Sequence, residues 1–304
     1  MRVKKKERLN AMLHRPTWGS RIYDSLNTTV LTLFAIMTVA PFIYIIAGSF
    51  ATQKELLLRG FILFPTEFTL DAYKYIFSTQ TLVRSLGVTV YITVVGTFIN
   101  IFFTSLMAYP LARKDMDFQK PIIMLVLFTM LFGGGMIPTF LVIKQLGMIN
   151  SYWSLLLPGA ISAFNLIIMR NFFQQLPDGL EESAKIDGCN DVGIFFRIVL
   201  PLSLPAIATF SLFYAVGHWN TFFNAVLYIN DNTKWPIQVL LRQIVILSSG
   251  GVGDSAQMDA TYVAPPEQSV KMAVIVVSTL PILLVYPFLQ KHFAKGVLLG
   301  SVKG

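Results

Sequence analysis

Charge is what this chain most lacks. Asp, Glu, Lys and Arg make up only 13% of its 304 residues, where a soluble domain carries about 25%. Six stretches contain none of the four: residues 25–53, 85–112, 121–143, 145–169, 198–230 and 272–290. The shortest spans 19 residues, and a helix needs roughly 20 to cross a bilayer. One such run could be a buried helix of a soluble protein, but six exclude a soluble fold. Backbone in lipid must satisfy its own hydrogen bonds, and these runs lack the alternation of barrel strands. The expected class is therefore an all-α membrane protein with six transmembrane helices.

Other absences narrow the chemistry. Cys189 is the single cysteine, so no internal disulfide can form. The three histidines, His14, His218 and His292, are too scattered for a metal centre. No phosphate-binding P-loop, no H-E-x-x-H and no nucleophile elbow occurs. No catalytic residue and no metal ligand is assigned, and any ATP hydrolysis belongs to a partner. An ion-driven secondary sugar transporter, the alternative reading, usually shows inverted repeats and an intramembrane acid. The six stretches hold no Asp or Glu, and no internal repeat is visible. An intramembrane enzyme would need a catalytic pair there, and only His218 is present.

What is there follows in order. Residues 1–25 are basic. The apolar run from Leu26 to about Phe50 exceeds the roughly 7–15 residues of a signal-peptide core, so it reads as the first span, kinked at Pro41. The second runs from about Leu86 to Leu111. The third starts at Pro121 and is interrupted by Gly133, Gly134, Gly135 and Pro138, read as a site of close helix packing ahead of a hinge. The fourth covers Trp153 to Phe173, the fifth Pro205 to Leu227 and the sixth Val270 to Phe288. The boundaries expected are a cytoplasmic segment 1–25, a membrane domain 26–290 and a cytoplasmic tail 291–304. A long outer loop, 229–270, holds Gly250 to Gly253, which is not a phosphate loop because no Lys-Ser/Thr follows.

Net charge is +8. With the N-terminus inside, 16 of the 24 Lys and Arg residues fall on inner segments. That twofold bias places both termini in the cytoplasm, and it explains the basic balance without nucleic acid.

One long polar segment stands between two apolar ones, residues 178–201. Asp178 can cap a helix with Glu181 three residues on. Gly188 fits a left-handed helix end, Asp191 can cap a second short helix, and Pro201 breaks it. Membrane anchoring would account for the amphipathicity. It would not account for Glu181, Glu182, Asp187 and Asp191 on a side where lipid head groups are anionic. A rigid acidic knob suits a basic protein groove.

The fifth span carries His218, Trp219, Asn220, Thr221 and Asn224 near its outer half. Aromatic faces with amides suit sugar rings. An interfacial aromatic belt with helix–helix hydrogen bonds also accounts for them and is the reading placed first.

Glu182-Ser183-Ala184, then Gly188, then Ile198-Val199-Leu200-Pro201 match the spacing E-A-A, three residues, G, nine residues, I-x-L-P, with Ser183 in place of alanine. On this motif the chain resembles the membrane subunit of a bacterial binding-protein-dependent ABC importer. Leu146-Gly147, Asn150-Ser151-Tyr152, Phe164-Asn165, Arg170-Asn171-Phe172-Phe173 and Trp219-Asn220 are similar to the carbohydrate branch. There the likeness is to the smaller permease of maltose-type importers, nearest to those for alginate or aldouronate-type oligosaccharides. The resemblance implies the type I importer permease fold in the bacterial inner membrane. It implies a sister permease, two ATPase subunits that hold ATP and Mg, an extracytoplasmic sugar-binding protein and a sugar cargo. It makes 178–201 a coupling hairpin with Glu181, Glu182, Ser183, Ala184, Asp187, Gly188, Ile198, Leu200 and Pro201 as its functional residues. His218, Trp219, Asn220 and Asn224 become candidates for the sugar path, and loop 229–270 one for entering the binding protein.

Overall fold

Helix length follows the apolar runs, and the breaks follow glycine, proline and polar residues. The structure, a computed structural model, describes residues 18–248 and 268–301. The Gly250–Gly253 run, with residues 249–267 of the 229–270 loop, lies outside the described residues, as do residues 1–17 and 302–304.

Helix α1 (Trp18–Ser49) starts earlier than the expected Leu26 and passes Pro41 unbroken. Of its residues only Ala47, Gly48 and Ser49 are buried. A helix apolar all round and unburied has lipid or another chain as its solvent. Short helices α2 (Gln53–Arg59) and α3 (Asp71–Ser78) follow. Between them the buried Glu55 carboxylate accepts from the Thr66 amide at 2.9 Å, the Thr66 hydroxyl at 2.7 Å and Arg59 Nη1 at 3.2 Å. Those bonds give the first loop a fixed shape.

Helix α4 (Gln80–Ala112) has 33 residues and is about 50 Å long at 1.5 Å per residue. It is the axis of the fold, packing against α8 and α11. Helix α5 (Gln119–Leu131) begins after a left-handed Phe118, ahead of the expected Pro121. It is bent by 115° from α6 (Met136–Gln145). Gly135 sits in the bend at φ +82°, and a Cβ built on Gly133 or Gly134 would meet nothing within 4 Å. The glycine run therefore makes the break, and the close packing expected of it is not found among the described residues.

The fourth span is also not continuous. A single turn, α7 (Trp153–Leu156), is separated from α8 (Ala163–Phe173) by a segment containing Pro158 and Gly159. The Ser162 hydroxyl caps α8 by accepting from the Asn165 amide at 3.4 Å. Helix α9 (Asp178–Ile186) and α10 (Asp191–Leu202) form the polar hairpin. Helix α10 bends by 81° into α11 (Leu204–Trp219). Pro201 lies inside α10, after a π turn at Phe195–Val199, and the chain turns at Ser203 instead. Helix α12 (Phe223–Tyr228) is split from α11, so the fifth span too is shorter than expected. Helices α13 (Ile237–Ser248) and α14 (Gln268–Ser301) complete the described chain.

Among the described residues only one isolated bridge, Ala51 with Phe68, is extended pairing. Among the described residues three helices are long and apolar enough to cross a membrane, or up to five if each bent pair is one span, and α8 is a shorter apolar helix. Of the six spans expected, the described residues thus show three continuous ones and up to two more that are bent.

Candidate functional site

The polar hairpin is built around glycine geometry. Helix α9 follows Pro177, whose fixed φ suits an entry and which occupies the capping position expected of Asp178. At its other end the Cys189 amide donates to the Ala184 carbonyl at 2.9 Å and the Gly188 amide to Lys185 at 3.0 Å. This pair is a Schellman closure, and it requires the left-handed φ of +82° found at Gly188. The next helix is capped one residue earlier than expected. Asn190, not Asp191, accepts from the Gly193 amide at 2.8 Å.

The expected site residues divide between two faces. Ala184 is buried, and Ile198 and Leu200 pack on the same core as Tyr109, Met169, Phe195 and Phe210. That core holds the hairpin against α4, α8 and α11, and each such side chain contributes about 1.5–3 kcal/mol on full burial. Glu182, Ser183, Asp187 and Gly188 are exposed on α9 and the turn that ends it, and Pro201 is exposed separately on α10. Ser183 turns its hydroxyl back to the Gly179 carbonyl at 2.8 Å. Ile186, which the sequence reading passed over, is 86% exposed at the end of α9, and Val192 is 64% exposed.

The acidic cluster is not uniformly outward. Glu181 is half-buried with its carboxylate 3.8 Å from Arg113, and Asp191 bonds to the same guanidinium. Asp115 bonds Arg113 at 2.9 and 3.1 Å, and this holds its carboxyl below the usual range, while the carboxylates raise the guanidinium further. In the sequence Arg113 is one of the Lys and Arg residues assigned to inner segments. Its position just after an uncharged stretch was the available signal. A cleft of about 630 Å³ lies beside it, lined by Asn171, Gln174, Glu182 and Lys185 among others.

The second group of candidates sits higher along α11. The Trp219 indole is buried and donates to the Ser278 carbonyl at 2.8 Å, tying α11 to α14. His218 bonds to the Asn100 side-chain oxygen. The Asn100 amide nitrogen donates to the carbonyls of Gly159 and Ala160, in the break before α8. Its oxygen is thus left to accept, and His218 Nε2 donates. One layer below, Thr104 and Tyr214 meet at 2.8 Å, and the Tyr214 hydroxyl also accepts from the Ser162 amide at 3.2 Å. His218 and Trp219 therefore make helix–helix bonds, whereas Asn220 and Asn224 are exposed. Asn220 also bonds the Val216 carbonyl at 3.0 Å. Among the described residues no group of His, Cys, Asp and Glu could hold a metal.

Comparison with known proteins bears on the whole chain. The family described as binding-protein-dependent transport system inner membrane component matches residues 93–299. The chain is 64% identical over 285 residues to the polygalacturonan/rhamnogalacturonan transport system permease protein YtcP of Bacillus subtilis (strain 168), covering 94% of this chain and 99% of that one. It is 60% identical over 290 residues to protein LplC of the same organism, covering 95% and 97%. Among solved structures it superposes with a TM-score of 0.83 and 29% identity on a chain of a bacterial ABC transporter involved in the import of the acidic polysaccharide alginate, covering 91% of this chain and 98% of that one.

Proposed function

The chain belongs to the family of binding-protein-dependent transport system inner membrane components, and has the type I importer permease fold; from that premise we propose that it works in an ATP-driven importer of uronic-acid-containing oligosaccharides. The observation that carries the substrate class is the near full-length identity with a polygalacturonan/rhamnogalacturonan permease. The fold match to an alginate importer supports the same chemistry.

In this reading the chain is a non-catalytic subunit. It pairs with a sister permease and receives cargo from an extracytoplasmic binding protein. Two ATPase subunits below hold ATP and Mg. Six crossings are counted as α1, α4, α5 with α6, α7 with α8, α11 and α14. Residues 1–25 and the tail 291–304 lie in the cytoplasm, as the excess of Lys and Arg on those segments supports.

The hairpin 178–201 docks in a groove of one ATPase. Glu182, Ser183, Asp187 and Gly188, with Ile186, make the contact, supported by their exposure. Glu181, Ala184, Ile198, Leu200 and Pro201 shape the lever behind that face. Closure of the ATPase pair pushes the hairpin and rocks the spans from inward-facing to outward-facing. For the sugar, Asn220 and Asn224 offer exposed amides, while His218 and Trp219 hold the helices that carry them.

The reading is tested by isolating the chain from native membranes in a mild detergent and identifying its companions by mass spectrometry. A second permease, a P-loop ATPase and a binding protein that retains galacturonate oligosaccharides are expected. The chain recovered alone and still able to transport would contradict it.

A further inference from the structure

We propose that Arg113 is a positioning residue that locks the polar hairpin to α4, so that force received by the hairpin turns α4 with it. The proposal rests on the permease reading above.

The last turn of a helix leaves carbonyls without partners and carries partial negative charge. At the end of α4 those carbonyls are taken up by neighbours. The Leu111 carbonyl accepts from Gln119 Nε2 at 2.9 Å and from Arg170 Nε at 2.8 Å, and the Arg113 carbonyl from Gln119 at 2.7 Å. These bonds stitch α5 and α8 to α4. They do not reach the hairpin.

The hairpin is reached by the Arg113 side chain. Its Nη1 bonds to Asp191, the first residue of α10. Its Nη2 and Nε bond to Asp115 in the α4–α5 connection at 2.9 and 3.1 Å. Its Nε also lies 3.8 Å from Glu181 on α9. One guanidinium therefore faces both arms of the hairpin and the connection after α4. A planar group with five donors can serve three carboxylates; an ammonium is a single point charge. Lys185 lies 3.9 Å from Asp191, but it belongs to the hairpin and cannot tie it to α4.

The setting makes the junction stiff. The Arg113 side chain is only 13% exposed, although its partners Asp115 and Asp191 are 66% and 64% exposed and open to salt. Its guanidinium lies 5.9 Å from the centre of the Tyr109 ring, and Tyr109 packs on Phe195 of α10 at 5.3 Å. Apolar packing also joins hairpin to core, but it is non-directional. The charged fork is what fixes register. From this end α4 runs past Thr104 and Asn100, bonded to α11, to Thr89, whose hydroxyl accepts from the Ile237 amide at 2.8 Å. A rotation imposed at Arg113 is thereby carried along α4 to α11 and to the start of α13.

The test uses the complete importer in proteoliposomes, with oligosaccharide uptake and ATP hydrolysis measured side by side. Arg113→Gln is expected to retain its ATPase subunits and hydrolyse ATP near the wild-type rate, yet move about tenfold less sugar per ATP, the scale of coupling between residues of one network. Arg113→Lys, which keeps the charge without the fork, is expected to fall between. An unchanged sugar-to-ATP ratio in Arg113→Gln overturns the proposal. So does loss of the ATPase subunits from an otherwise folded complex, which would make Arg113 part of the docking face instead. If Arg113→Gln is not recovered, the ratio in Arg113→Lys decides by the same criterion. A wild-type complex that takes up no sugar on ATP overturns the permease reading itself, a distinct result.

Discussion

The imidazole of His218 stands so close to Gly96 that a Cβ on that glycine would lie 2.5 Å from its Nε2. Glycine at this place in α4 lets α11 approach and lets His218 reach Asn100. Gly96→Ala is therefore expected to displace the ring and break that bond, lowering stability by about 1–3 kcal/mol, as overpacking usually does. Gly87 on the same helix has nothing within 4 Å of a built Cβ. Gly87→Ala is expected to leave the melting temperature unchanged or raise it. Thermal melts of the two variants in detergent check the contrast.

Gly188 is a different case, because its cost is conformational and not steric. It is in open space at φ +82°. Gly188→Ala forces a Cβ into a left-handed backbone at about 1–2 kcal/mol, and the Schellman closure of α9 must shift. The expected outcome is an assembled complex whose ATP-dependent uptake is largely lost. Wild-type uptake by this variant would remove the hairpin from the coupling role.

Trp219 and Asn220 are neighbours with opposite expected phenotypes. Trp219→Phe deletes the donor to the buried Ser278 carbonyl, a loss of about 1–3 kcal/mol, so the melting temperature should fall while the KM for uptake holds. Asn220→Ala and Asn224→Ala should raise that KM without lowering stability. Measuring both quantities on all three separates structural bonds from sugar contacts.

Glu55 gives a pH signature. Donation from the Thr66 amide and hydroxyl holds its carboxyl below the ordinary 4.5 in the folded chain. A depressed folded value adds stability that is present above the unfolded pKa and lost as pH falls through the folded one. The melting-temperature gap between wild type and Glu55→Gln should therefore be widest near neutrality and close as pH falls below 4.5.

Sequence alone carried the class of fold and the hairpin, and the reasons are local. Uncharged runs mark apolar helices whatever their packing, and Gly188 marks a helix end with a new start just after it, although Asn190 and not the expected Asp191 caps that start. What sequence concealed depends on distance. The break at Pro158-Gly159 is a local signal that apolar continuity masked, and it has meaning only because Asn100, far off on α4, takes its carbonyls. Four acids read as one exposed cluster, yet Arg113 pairs with two of them, Glu181 half-buried and Asp191 at the surface. His218 and Trp219 suit a sugar or a helix neighbour by type, and only their partners, Asn100 and Ser278, distinguish the two.

The central claim is that this chain turns ATP hydrolysed elsewhere into movement of an acidic oligosaccharide. The most direct measurement is uptake of labelled galacturonate oligosaccharides by proteoliposomes holding the permease pair, the ATPases and the binding protein. ATP would be enclosed in one set and an ion gradient alone in another. Uptake that requires ATP and the binding protein, and is unaffected by collapse of the gradient, is the result expected. Uptake that proceeds on the gradient without ATP would contradict the account.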